Sequence, residues 1–178
     1  YILNDCIVEV WGYKKARLVI WTGFAMNFFV VLTAQLVRLL PAAPFWDGGA
    51  HFDYVFALAP RITLASMLAF VSGSSVNAWV MSRMKVASSG KRFSLRAIVS
   101  TIAGETIDSL IFFPIAFWGL EAGNMLKLML TQIIVKTLYE IIILPVTMTV
   151  VKKVKKIEGE DVYDGHISYN PFKIGDLR

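Results

Sequence analysis

Four stretches of this chain are apolar for long enough to cross a lipid bilayer, and that length governs every other inference about the fold. They cover residues 18–40, 56–82, 95–118 and 125–151, each at or above the roughly 20 residues that a ~30 Å hydrocarbon core requires. With 56% of all residues hydrophobic, the chain is too apolar for an ordinary soluble domain. Inside lipid a backbone N–H or C=O finds no water, so a spanning segment satisfies its own hydrogen bonds as a helix. The expected fold is all-α: a polytopic transmembrane helix bundle with four complete spans.

The charges sort by connection. Lys14, Lys15 and Arg17 precede the first span, while Arg83, Lys85, Lys91, Arg92 and Arg96 lie between the second and third. Lys152, Lys153, Lys155 and Lys156 follow the fourth. The alternate connections, "PAAPFWDGGAHFDYV" and "GLEAGNMLK", carry a single lysine between them. Basic connections stay in the cytoplasm, and four spans satisfy that alternation without a violation. The net charge of +5 is therefore read as a membrane-topology signal, with no nucleic acid as partner. Residues 1–151 form the transmembrane domain and 152–178 a cytoplasmic polar tail, whose "EGEDVYDGHISYNPFKIGDLR" lacks periodicity and reads as loosely ordered. The opening "YILNDCIVEV" has neither a cationic start nor a small-residue cleavage site and reads as the end of a preceding helix. One cysteine, Cys6, excludes an internal disulfide framework and a multi-cysteine metal site. No cofactor or metal is expected.

The informative residues are polar ones at membrane depth. A carboxylate there costs at least a few kcal/mol, so it faces a bundle interior or a wet cavity. In "STIAGETIDSLIFFPIAFWG", Glu105 and Asp108 are three apart and share a helix face with Thr101 and Ser100. Ser100 and Gly104 make a small-xxx-small pair that lets another helix approach closely. On the fourth span Lys136 and Glu140 stand at an i, i+4 spacing that permits an internal ion pair. The second span offers Arg61, which reaches either a ligand or the headgroups, and, further along, Ser74 and Asn77. Pro114 and Pro145 each remove a helical hydrogen bond and predict kinks. This pattern suits recognition of a polar ligand or proton exchange. Paired acids could also serve an intramembrane enzyme, but HExxH is absent and both acids lie on one helix, so no enzyme is expected. A purely structural scaffold would tolerate neutral substitutions at both acids.

Taken in order, "NDCIVEVWGYKKAR", "APRITLAS", "STIAGETIDSLIFFPIAFWG" and "KTLYEIIILP" resemble the motifs of the queuosine precursor transporters, also called the vitamin uptake transporter family. The tail "EGEDVYDGHISYNPF" is similar to the end of many bacterial members. The resemblance implies a six-helix bundle related to the substrate-binding subunits of energy-coupling-factor importers, of which this chain lacks the first helix and most of the second. It implies an inner-membrane transporter that imports 7-deazaguanine bases for tRNA modification. The alternative is a substrate-binding subunit of a multi-component importer, which would depend on partner ATPases. A guanine-like edge presents two donors side by side, which one carboxylate accepts together. On that basis Glu105, Asp108, Asn77, Ser74, Arg61 and Thr101 are expected to bind the substrate. Lys136, Glu140, Asp5 and Glu9 are expected to form a charge network, the last two at an inner gate. Phe112, Phe113, Phe117 and Trp79 are candidates for stacking on the ring. The chain departs from the family pattern at Ser74 and Asn77, where Gln and Asp are common.

Overall fold

The computed structural model describes residues 1–57 and 59–173. Five helices follow one another: α1 (Ile2–Arg38), α2 (Gly49–Ala57), α3 (Ala59–Ala87), α4 (Phe93–Ala116) and α5 (Ala122–Glu158). No strand occurs among the described residues. Four of these helices are long and apolar enough to cross a membrane, so the chain is a multi-pass, all-helical membrane protein. Their apolar side chains point outward without partners, as Phe28 and Phe29 do on α1 and Ile142 and Val146 do on α5. In lipid, which is as apolar as leucine, such faces need no protein cover.

The first helix is broken. Gly12 stands at φ 79°, ψ 177°, a backbone state that a residue with a Cβ rarely adopts. It divides a short segment, 2–11, from the spanning segment, 13–38. The fourth spanning helix, α5, runs seven residues beyond the apolar stretch 125–151, through the basic "KKVKKIE". It stops at Gly159, whose left-handed φ of 68° ends the helix with its N–H on the Lys155 carbonyl at 3.0 Å. At the opposite end of the bundle, α2 forms within what reads in sequence as an irregular connection. The rings of Phe52 and Phe56 lie 4.5 Å apart along it, tilted by 40°, and Arg38 bonds Asp53 at 3.1 Å.

Helices α3 and α4 lie closest. A Cβ on Gly104 would come within 2.9 Å of the Gly73 carbonyl, and one on Gly73 within 2.9 Å of the Gly104 carbonyl. Each glycine thus admits the other helix's backbone, the close approach anticipated from Ser100 and Gly104. Helices α4 and α5 run on through Pro114 and Pro145.

A buried apolar cluster of Val8, Tyr13, Ala16, Ile20, Ala78 and Met81 sits at the end of the bundle where the basic connections gather, with Ile167 and Tyr169 packed against it. The latter two belong to the tail, which corrects the expectation of a loose segment. After Gly159 the chain turns back over α1 and α3. Tyr13 Oη donates to the Tyr169 carbonyl at 3.1 Å, Arg17 Nη1 to the Asn170 carbonyl at 2.7 Å, and Trp21 Nε1 to the Pro171 carbonyl at 2.7 Å. Burial opposes ionisation of Asp161, but hydrogen bonds from Lys155 and Lys85 at 2.8 and 2.5 Å outweigh it and hold its carboxyl below the usual carboxylate range. Sequence periodicity is blind to this docking because the segment is held by side chains about 150 positions away.

Candidate functional site

A cavity of about 690 Å³ opens between the first segment of α1 and helices α3, α4 and α5. Its polar wall is made by Ser74 from α3, Thr101, Glu105 and Asp108 from α4, and Lys136 and Glu140 from α5; Phe70 and Tyr139 add flat apolar faces. The α4 residues recur at intervals of four and three, which places them on one helix face. That face reaches the cavity because Gly104, between Thr101 and Asp108, lets α3 press against α4 from the side.

Each acid in the wall has a different partner. Lys136 Nζ donates to Glu105 Oε2 at 2.8 Å, with the glutamate buried and the lysine half-exposed. Lys136 thus pairs across to α4; its i, i+4 neighbour Glu140 instead accepts a hydrogen bond from Thr101 Oγ1. Asp108 Oδ2 accepts a long bond from Gln132 Nε2 at 3.3 Å. Among the described residues each of these three acids has one oxygen that accepts no hydrogen bond, and Asp108 is the acid whose other oxygen is held only by a long, neutral bond.

Behind the wall lies a second polar layer. Asp5 is fully buried and accepts from Asn77 Nδ2 at 2.9 Å and from Ser100 Oγ at 3.3 Å. Asn4 Nδ2 in turn donates to Asn77 Oδ1 at 2.5 Å. Asn77 therefore holds segment 2–11 in place and does not line the cavity. Glu9 is farther still, at the basic end, where it takes both arms of Arg96 at 2.6 and 3.1 Å and Lys155 at 2.7 Å.

Arg61 does not join the site. Its Nε donates to the Ile115 carbonyl at 2.5 Å, one of the final carbonyls of α4 that a helix end leaves without an internal partner. The stacking candidates are displaced as well. Phe112, Phe113 and Phe117 pack on one another, with Phe113 and Phe117 stacked at 5.7 Å, and Trp79 faces outward. The cavity's rings are those of Tyr1, Phe70 and Tyr139, which nothing in a row of apolar and aromatic residues distinguishes from lipid-facing ones. Gln132 is the other residue not anticipated; as a polar side chain in the apolar run "LKLMLTQIIVK", it carried a visible signal.

An all-helical, multi-pass bundle with a polar, acid-lined cavity among its helices has the architecture of a membrane transport protein. Residues 1–150 match the family model described as "Putative vitamin uptake transporter". The chain belongs to that family. Among curated proteins it is 26% identical over 147 residues to the "Probable queuosine precursor transporter" of Bacillus subtilis (strain 168), covering 82% of this chain and 64% of the relative. It is 31% identical over 121 residues to the "Queuosine precursor transporter" of Escherichia coli (strain K12), covering 66% of this chain and 51% of the relative. The chain thus spans between half and two thirds of the length of these relatives. No solved structure matches it.

Proposed function

We propose that this chain carries the substrate cavity of an inner-membrane transporter for queuosine precursors, the 7-deazaguanine bases salvaged for tRNA modification, with its basic end and tail in the cytoplasm. The observation that carries the reading is a cavity with three carboxylates in its wall, two of them on one face of α4, in a chain related to proteins named for that transport.

The chemistry is direct. A guanine-like edge offers a ring N–H beside an exocyclic amine, and a carboxylate accepts both in parallel. Asp108 suits that role, since Gln132 engages one oxygen weakly and leaves the rest of its acceptor capacity for a ligand. Glu105 is neutralised by Lys136 in this state. Should the ligand carry an aminomethyl cation, that cation competes with Lys136 for Glu105, and the half-exposed lysine is free to swing aside. Phe70 and Tyr139 supply faces against which a planar ring packs. The acids bind and orient; no bond of the substrate is made or broken.

The test is uptake by cells unable to make the precursor, read as queuosine in their tRNA. Losing a charged acceptor costs roughly 1.5–3 kcal/mol, so Asp108→Asn should lower apparent affinity about ten-fold or more at equal membrane abundance. Uptake untouched by Asp108→Asn would remove the acid from the site. A well-expressed wild type that imports nothing would overturn the substrate.

A further inference from the structure

The break at Gly12 leaves two raw helix ends inside the bundle, and each end of a helix has backbone groups without internal partners. Here the partners come from the far end of the chain and from α3. Upstream of the break, the Val10 carbonyl accepts the Val162 N–H at 3.0 Å, and the Glu9 carbonyl accepts Lys85 Nζ at 2.5 Å. Downstream, the Tyr13 N–H donates to Asp164 Oδ2 at 2.8 Å. That is N-cap chemistry, supplied by a residue 151 positions away. Ser82 Oγ on α3 donates to the same oxygen at 2.5 Å, and Lys85 Nζ reaches the Val162 carbonyl at 2.7 Å. A Cβ at position 12 would lie 2.8 Å from Asp164 Oδ1 and 2.9 Å from Val162 Cγ1, so the tail occupies the space that any larger residue would need.

Segment 2–11 closes one side of the cavity: Ile2 and Leu3 line it, and Asp5 binds Asn77 and Ser100 behind it. It meets α3, α4 and α5 through the polar side chains of Asn4, Asp5 and Glu9 and through buried Val8, which packs with Ala78 and Met81 of α3. We propose that Gly12 is a hinge, that residues 161–164 are the clasp that holds it shut with Asp164 as positioning residue, and that releasing the clasp swings segment 2–11 away from α3 and α4 to open the cavity. The clasp lies beyond residues 1–150 that the family model matches. The link from opening to transport rests on the transporter reading; the hinge itself does not.

The test reads segment movement without substrate. In a Cys6→Ser background of the whole protein in nanodiscs, a reporter introduced as Ser100→Cys sits under Asp5 at a fully buried position. A second, Ser109→Cys, is equally buried on α4 away from the break. Asp164→Ala should speed maleimide modification at position 100 by about 5–30-fold, the factor that one lost cap implies. Asp164→Asn, which keeps an acceptor for Tyr13, should give a smaller increase, and Glu160→Gln on the exposed side of the tail none. Position 109 should stay slow throughout. An unchanged rate at position 100 in folded Asp164→Ala overturns the hinge, as does equal acceleration at both positions, which would mean general loosening. Should Asp164→Ala fail to fold, Asp164→Asn decides alone: acceleration confined to position 100 supports the clasp, and no acceleration overturns it. Accelerated labelling alongside a wild type that imports no queuosine precursor would keep the hinge and discard the substrate.

Discussion

Arg96 is completely buried, and every part of its guanidinium is used. Two arms go to Glu9, while Nε and Nη2 reach the carbonyls of Lys91 and Gly90 at 3.1 Å each. Breaking one side of such a pair leaves a charge stranded away from water, typically at a cost of 3–5 kcal/mol; Lys155, still bonded to Glu9, absorbs part of it. Arg96→Ala should therefore lower stability by about 2–4 kcal/mol in denaturation measurements. The double variant Arg96→Met with Glu9→Leu should recover most of the loss. At this scale the sequence was legible where charge met apolar surroundings: Glu105, Asp108, Lys136 and Glu140 stand out because nothing near them in sequence is polar enough to explain them. Arg96 and Lys85 were hidden for the opposite reason. They sit among other basic residues, and a count of positive charge does not separate those that face solvent from those that, with Lys155, turn inward to hold Glu9 and Asp161.

Helix packing turns on glycines that face each other. Because the contact between α3 and α4 runs backbone to backbone at Gly73 and Gly104, an added methyl group meets a carbonyl oxygen that cannot rotate away. Gly104→Ala should cost about 1–3 kcal/mol through overpacking and displace the wall that carries Glu105 and Asp108, so binding should fall along with stability. Ala103→Gly, one residue along α4, loses only helix propensity, about 1 kcal/mol, and should leave binding intact; parallel melting and ligand-binding curves separate the two. The spans themselves were readable from length and hydropathy, since lipid requires both. Their ends were less so. The fourth spanning helix outlasts its apolar stretch because lysines are good helix formers, and the first is interrupted by a glycine that looks unremarkable in sequence. Short α2 was missed because nine residues with two aromatic anchors show too little periodicity to recognise.

Across the whole molecule, the tail ties α1, α3 and α5 together at the basic end of the bundle. Asp161 is the part of that tie with a clear pH signature. Its carboxyl is held below the ordinary range when docked, so the stabilisation is complete above the ordinary carboxylate pKa and is lost as pH falls through and below it. Hydrogen exchange at the Val162 amide, corrected for intrinsic rate, should show constant protection above about pH 5 and declining protection below about pH 4. Asp161→Asn should flatten that dependence. The docked tail was the least legible feature of the fold, because a polar segment without periodicity looks the same whether it floats or binds. The break it seals also imposes an order on biosynthesis. Asp164 leaves the ribosome only after all five helices have been made, so the nascent first helix enters the bilayer with its interrupted backbone uncapped and stays so until translation has passed the last one. A chain stalled or cleaved before residue 164 would carry all four spans described above and still expose an open seam to the quality-control proteases of the membrane.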